Sequence, residues 1–164
     1  MPSYQEINKR RISLFLILVA CVIFKVKAQH LVINEIMSNN EMTIKDQDAD
    51  SEDWIELYNN SDSSINISGF YLSDDYTNLD KWAFPQITIG PYEFLVIFAS
   101  GKDRYEISEL HANFKISLSG EEIFLSNSAG IMISQAPQVD LAIDETYGRF
   151  PDASTNWIKI SIPS

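Results

Sequence analysis

Short apolar runs separated by turn-forming residues constrain this chain more than any other feature of its sequence. From Leu31 onward, segments rich in Ile, Val, Phe, Tyr and Trp alternate with clusters such as Ser68-Gly69 and Gly90-Pro91, and they recur at a spacing of roughly 8–12 residues. No window of helical length carries apolar residues at positions i, i+3 and i+4, and Arg104–Leu110 has room for one helical turn at most. The pattern therefore predicts an all-β protein that folds as a two-layer sandwich.

The predicted strands are short, and turn-forming residues separate them. They fall at Leu31–Met37, Trp54–Asn59, Ser64–Ile67, Phe70–Ser73, Lys81–Phe84, Gln86–Ile89, Phe94–Ala99, Asn113–Ile116, Glu122–Ser126, Ile131–Ser134, Thr146–Arg149 and Trp157–Ile160. In the second of these strands, alternation directs Ile55 and Leu57 toward one layer. Trp54, Glu56 and Tyr58 then share the opposite face.

The first 28 residues have the pattern of an export signal. Lys9-Arg10-Arg11 precedes an unbroken apolar run, Ile12–Phe24, and the segment ends at Val26-Lys27-Ala28 with a small residue at the expected cleavage point. The run is shorter than the roughly 20 apolar residues that a membrane-spanning helix needs. We therefore expect a signal peptide over residues 1–28, cleavage after Ala28, and a secreted or cell-surface β-sandwich domain over residues 29–164.

Cys21 offers an alternative to this cleavage. Leu18-Val19-Ala20-Cys21 is similar to a bacterial lipobox, and the alternative product is a lipoprotein anchored at Cys21. However, the apolar run continues past the cysteine to Phe24, which is unusual at a lipoprotein junction. Because Cys21 is the sole cysteine of the chain, a mature protein that begins at Gln29 contains no disulfide.

The charge balance limits the classes of partner. The formal net charge is −11, and cleavage after Ala28 removes five of the twelve basic residues, which leaves about −15 on the mature chain. Such a field repels phosphate backbones and anionic lipids. We therefore expect no nucleic-acid partner and, after cleavage, no membrane partner; a protein or a carbohydrate at the cell surface remains. The sequence does not indicate an oligomeric state.

The densest acidic segment, Asp46–Asp62, contains seven carboxylates. The alternating acids Asp46, Asp48, Asp50 and Glu52 offer oxygen ligands at the spacing that calcium loops use. The glycine and the distal glutamate that define an EF-hand are missing. The primary interpretation is a solvated acidic connector that leads into the strand at Trp54. The alternative is a calcium site formed by the four alternating acids, and no other cofactor is expected.

No catalytic set can be assembled from the sequence. Glu56 is an acid between apolar neighbours, but it has no identifiable acid–base partner. His111 has no serine elbow near it, and the mature chain has no thiol. We therefore do not expect an enzyme. Five aromatic residues in or beside loops are instead candidates for contact with a sugar or a protein: Tyr71, Tyr76, Trp82, Tyr92 and Tyr105.

With the strands placed, a series of motifs can be compared with known families. They are, in order, LVINEIMSNN, DWIELYNNSDSSINISGFYLSDD, KWAFP, FLVIFASGKD, LHANFKISLSGEEIFLSNSAG and YGRFPD. In this combination the chain resembles the lamin tail domain in its bacterial, secreted form, from about Leu31 to about Trp157. The resemblance implies an immunoglobulin-like β-sandwich and a non-catalytic module.

The same motifs are similar to the module that precedes a CotH-kinase-like domain in some large secreted bacterial proteins. The resemblance thus implies two functions. The first is a secreted interaction module that binds a protein or a surface glycan. The alternative is an N-terminal accessory domain of a larger secreted enzyme, CotH-kinase-like or a hydrolase, whose catalytic part lies beyond residue 164.

Overall fold

Thirteen β-strands and no helix make up the part of the chain that the structure, a computed structural model, describes: residues 30–161. The predicted signal peptide, its cleavage point and Cys21 lie outside this range. The strands are β1 (Leu31–Met37), β2 (Trp54–Asn59), β3 (Ile65–Asn66), β4 (Tyr71–Ser73), β5 (Trp82–Ala83), β6 (Thr88–Ile89), β7 (Phe94–Phe98), β8 (Arg104–Glu106), β9 (Glu109–His111), β10 (Ile123–Ser126), β11 (Met132–Ala136), β12 (Glu145–Arg149) and β13 (Trp157–Ser161). Within residues 30–161, no helix is long and apolar enough to cross a membrane.

The strands form a large sheet, a smaller sheet and a two-stranded ribbon. The large sheet has seven strands in the order β13-β12-β1-β2-β7-β9-β8, and the smaller one has the order β11-β10-β4-β5. Strands β3 and β6 form the ribbon. Pairing is antiparallel apart from β7 with β9, which run parallel. The all-β prediction is confirmed, and the arrangement is consistent with an immunoglobulin-like sandwich.

One hydrophobic core lies between the two main sheets. Ile55 and Leu57 of β2 point into it, as their alternation predicts, and both are fully buried. Leu72 of β4 and Ile123 of β10 meet them from the smaller sheet and are equally buried. Burial of four such side chains removes several hundred Å² of apolar surface from water, at about 25 cal/mol per Å². This packing gives the molecule a rigid central layer.

The strand predicted at Asn113–Ile116 does not form. Lys115 makes only an isolated bridge to Ser100, and the rest of the segment is irregular. Phe114 and Ile116 are nevertheless buried in the core at 4% exposure each. Their alternation therefore reflects two anchors of a loop rather than a paired strand.

The segment Arg104–Leu110, for which the sequence allowed one helical turn at most, contains no helix. The segment is a β-hairpin in which β8 pairs with β9, and β9 extends the large sheet beyond β7. Its residues are mostly polar because β8 is an edge strand with one side in water, so the hydrophobic alternation that marks a strand is missing.

An irregularity in β1 places Asn34 where its side chain can bond a neighbouring loop. The register with β2 shifts between Ile33 and Glu35, so that Asn34 is the extra residue of a β-bulge. The Asn34 amide Nδ2 donates to Glu56 and to Asp152, both at 3.1 Å, and its Oδ1 accepts the Ala153 N–H at 3.0 Å. The bulge thereby fastens the 150–156 loop to the large sheet.

Two glycines with the same backbone conformation provide a matched test of this fold. Gly120 has φ +73°, and a Cβ there would lie 1.8 Å from the main-chain oxygen of Val139; Gly130 has φ +72° and no atom within 4 Å. We expect Gly130→Ala to cost about 1–2 kcal/mol of unfolding free energy, the penalty of the left-handed conformation alone. Gly120→Ala should cost clearly more, because the backbone of Val139 must also move. Urea unfolding of both variants measures the difference, and equal losses would contradict the close approach.

Candidate functional site

The acidic loop, residues 38–53, folds onto the outer face of the large sheet instead of projecting into solvent. It contacts a small second hydrophobic cluster of Met37, Trp54 and Phe98, each at most 7% exposed, since Thr43 Oγ1 of the loop donates to Met37 Sδ at 3.4 Å. The Asn40 side chain pins the loop by donating to the main-chain oxygens of Ile44 and Glu52 at 2.7 and 2.8 Å. The loop is therefore an ordered cover over one end of the sheet.

A lysine ammonium lies at the centre of the acidic loop. Lys102 Nζ donates to Asp46, to Asp48 at 3.1 Å and to Asp50 at 2.8 Å. Glu52 is 3.5 Å from the same nitrogen. The side chain of Asp46 is completely buried, whereas that of Asp50 is 58% exposed. The cluster thus runs from a sealed inner carboxylate to solvated outer ones, with one cation shared among them.

Hydrogen bonds decide the charge states at the centre of this cluster. Burial by itself raises the pKa of Asp46, but the bond from Lys102 and the N–H groups of Asp50 and Asp48 hold that pKa below its ordinary value of 3.8. Burial lowers the pKa of Lys102, and its bonds to the three aspartates raise that pKa well above the usual lysine value. Both groups are therefore charged at neutral pH.

The structure brings together the acids that the sequence singled out. Carboxylate oxygens of Asp46, Asp48 and Asp50 lie within 4.8 Å of one another, and Glu52 joins them through Lys102. The interpretation as a solvated connector is wrong for Asp46, which is buried. The calcium site stays a prediction. Lys102 was missed because it lies 52 positions beyond Asp50 in the chain, where no local pattern marks it.

A second polar chain adjoins this cluster. His111 Nδ1 is 2.9 Å from Ser100 Oγ, and His111 Nε2 is 2.9 Å from Glu109 Oε1. The order of groups resembles a nucleophile, a base and an orienting acid. However, His111 is fully buried, Ser100 is 4% exposed, and Ser100 Oγ already accepts the Lys102 N–H at 3.1 Å. A substrate has no access to this hydroxyl, so the chain of groups is structural.

The rest of the outer face is less covered. Cross-strand pairing places Ile158, Gly148, Glu35, Glu56 and Val96 side by side in one row across five strands, from β13 to β7. A second row carries Tyr58 opposite Phe94, whose rings stack at 4.3 Å between centroids. Phe94 is 47% exposed. We refer to the accessible members of these rows as the open face: Glu35, Glu56, Tyr58, Phe94, Val96 and Ile158.

Glu56 has the most unusual chemistry on the open face. Burial raises the pKa of Glu56 to about 7, and the nearby carboxylates Glu35 and Asp152 add to the increase against the hydrogen bond from Asn34. Within the described chain, no lysine or arginine forms an ion pair with any of the three acids. Arg149 donates to the main-chain oxygens of Ile33 and Ser154 instead.

The five aromatic residues that the sequence suggested for binding have different fates. Trp82 is 1% exposed in the core, and Tyr71 is half-buried. Tyr76, Tyr92 and Tyr105 are exposed, at 67%, 58% and 46%. Phe94, the exposed ring on the open face, was not singled out because it lies inside a run that reads as a buried strand.

A shallow cleft lies elsewhere, beside the smaller sheet. Its volume is about 410 Å³. Its walls are loop residues, mostly polar or small: Tyr71, Leu79, Asp80, Ser128, Ala129 and Gly130. The cleft has room for a small polar ligand.

Lys102→Met tests the role of the shared ammonium. Removing the cation leaves Asp46 buried without a cationic partner, so we expect the free energy of unfolding to fall by roughly 3 kcal/mol at pH 7. The matched control is Lys45→Met in the same loop, because Lys45 contacts only the main-chain oxygen of Ala49 and is exposed. Urea unfolding should separate the two variants, and a similar small loss in both would contradict the account.

The same variant separates the ammonium from calcium. In the unmutated protein Lys102 Nζ lies where a hard cation would meet the carboxylates, so millimolar Ca²⁺ should leave the melting temperature unchanged. In Lys102→Met the ion should raise it. A rise in the unmutated protein that Asp48→Ala with Asp50→Ala removes would instead establish the calcium site of Asp46, Asp48, Asp50 and Glu52.

Glu56 predicts an unusual pH dependence. Its pKa is about 7 in the folded protein and ordinarily 4.5, so between these values the folded state binds more protons and stability falls as the pH rises. Glu56→Gln should flatten this decline and exceed the wild-type stability above pH 7 by about 2 kcal/mol. A smaller fall of stability with pH should remain in the variant, because burial also raises the pKa of Asp53, to about 6. Unfolding curves across this range measure the slope; an unchanged slope in the variant would contradict the buried position of Glu56.

Comparison with known families accounts for nearly the whole described chain. The family model of the Lamin Tail Domain matches residues 26–160. This range contains every strand of the sandwich except the final residue of β13. No curated protein matches the chain.

Proposed function

The chain belongs to the lamin tail domain family, and from this premise we propose that it is a non-catalytic interaction module that acts outside the cell by binding a protein or a surface glycan. The observation that carries the proposal is the open face. It presents exposed aromatic and apolar side chains beside carboxylates without cationic partners, at the middle of a rigid sheet. Rigid surfaces of this composition bind at little entropic cost.

Binding is favoured over catalysis by the shape of the same face. A carboxyl group with a pKa near 7 suits general acid–base chemistry, and Glu56 has such a pKa. Its carboxyl oxygen, however, accepts a hydrogen bond from the Asn34 amide, which also donates to Asp152. The face lies across the sheet between two loops, and Phe94 is 47% exposed. A reaction there would not be shielded from water.

Action outside the cell rests on the N-terminal pattern and on charge. Residues 1–28 have the charged, apolar and small-residue regions of a signal peptide. The strongly acidic remainder favours solubility and disfavours nucleic acids. The absence of cysteine from the mature chain is compatible with an oxidising compartment, because the core and the Lys102 cluster replace disulfides as sources of stability.

Expression of the full sequence tests both parts of the proposal. The protein should appear in the medium with Gln29 as its first residue, as N-terminal sequencing and intact mass would show. The labelled product should bind the surface of the producing cells saturably. Protease treatment or deglycosylation of those cells distinguishes a protein partner from a glycan. Retention of the protein inside the cell, or the absence of saturable binding to the cell surface, would overturn the proposal.

A further inference from the structure

We propose that the open face binds an extended, basic segment of a partner protein, whose lysine or arginine side chains pair with Glu35, Glu56 and Asp152. Apolar side chains of the same segment would pack on Tyr58, Phe94 and Val96. The inference rests on the proposed function and names the partner class of the same surface. It follows from four properties of the face.

The first property is uncompensated negative charge. Glu35 and Glu56 are directly opposite each other on β1 and β2, and Asp152 adjoins them through the Asn34 amide at 3.1 Å. Like charges this close repel, and Glu35 and Asp152 contribute to the raised pKa of Glu56. A cationic side chain between them would remove the repulsion and form charge-assisted hydrogen bonds. The face therefore gains more from a basic partner than from a neutral one.

The second property is the contrast with the acidic loop. There, Lys102 pairs with Asp46, Asp48 and Asp50, and Arg104 pairs with Asp48 at 2.6 Å. Arg149 of the adjoining strand β12 is instead engaged with main-chain oxygens and lies over the Trp157 ring. None of the ion pairs in the described chain involves Glu35, Glu56 or Asp152, which leaves these acids to an external partner.

The third property is an aromatic platform next to the charges. Tyr58 and Phe94 form a stacked pair in the row beside Glu56 and Val96. Aromatic faces and edges contact the methylene stems of lysine and arginine, and their π-systems attract the cationic groups. An acid and a ring side by side therefore recognise both ends of one basic side chain.

The fourth property is the flatness of the row. Gly148 lies next to Glu35, and a Cβ at Gly148 would meet Glu35 Cγ at 3.1 Å. Without a side chain at this position, Glu35 lies across β12, and the row continues level to Ile158, which is 36% exposed. An extended segment can therefore pass over β12 at Gly148 without meeting a side chain of that residue.

Charge argues against a second copy of the chain as the occupant. The formal net charge is −11, and two open faces would place six carboxylates together with no cation between them. A basic segment reverses this balance and would also be steered toward the face before contact.

Short synthetic peptides provide the direct test. We expect a peptide of alternating lysine and threonine to bind the protein with an affinity that salt weakens, and a matched glutamate–threonine peptide not to bind, as measured by fluorescence anisotropy. The double variant Glu35→Gln with Glu56→Gln should bind the basic peptide with roughly tenfold lower affinity. The control with the same change in charge is Asp80→Asn with Glu122→Gln, which alters two exposed acids beside the smaller sheet.

Two further readouts separate a specific site from general attraction to an acidic protein. The variant Phe94→Ser leaves the net charge unchanged, and it should also bind the basic peptide with lower affinity. Binding should strengthen from pH 6 to pH 8 as Glu56 ionises among Glu35, Asp152 and the Asn34 amide. Equal affinity in all variants, or a loss in the control that matches the loss in the open-face double variant, would overturn the inference.

The outcome also distinguishes the inference from the function on which it rests. If the protein binds cell surfaces and the open-face variants bind them equally well, the proposed interaction module is retained and the basic segment is rejected as its partner. Concentration-dependent dimerisation that Phe94→Ser abolishes, in sedimentation, would make a second copy the occupant and likewise overturn the inference. Failure of all surface binding would remove the proposed function itself.

Discussion

A seven-stranded sheet packed against a four-stranded one has a second face without a layer to cover it, and much of the structure follows from this constraint. The inner face forms the core with the smaller sheet. The outer face has to be covered by loops or remain in water. The acidic loop meets the cluster of Met37, Trp54 and Phe98 at one end, through the bond from Thr43 to Met37, and the 150–156 loop is fastened by the Asn34 bulge. The open face lies between these two covers.

The two parts of the outer face handle negative charge in opposite ways. A loop that brings Asp46 into complete burial needs a cation, because an isolated buried carboxylate is costly. Lys102 supplies that cation from the segment after β7 and is shared with the outer acids. Glu56 has no such partner and holds its proton more tightly instead. The carboxylates of the acidic loop are therefore paired with cations of the same chain, whereas the carboxylate of Glu56 on the open face is available to a partner.

Much of this architecture was accessible from the sequence, and the exceptions have physical causes. The strands β1 and β2 are compact runs rich in apolar residues, and their predicted bounds are those of the structure. The hairpin of β8 and β9 escaped detection because polar edge strands carry no alternation. The acids of the loop were identifiable because they are local, whereas their partner Lys102 is distant in sequence. Phe94 was hidden in an apolar run, since only the sheet topology decides which of its residues face water.

The central claim is that the outer face is divided into a sealed end and an accessible middle. Hydroxyl-radical footprinting of the purified protein measures this division residue by residue. The account predicts rapid oxidation of Phe94 and strong protection of Met37, Trp54 and Phe98, although methionine and tryptophan are intrinsically more reactive than phenylalanine. Rapid oxidation of Met37 and Trp54, or protection of Phe94 in the free monomer, would show that the acidic loop is not the cover and that the open face is not open.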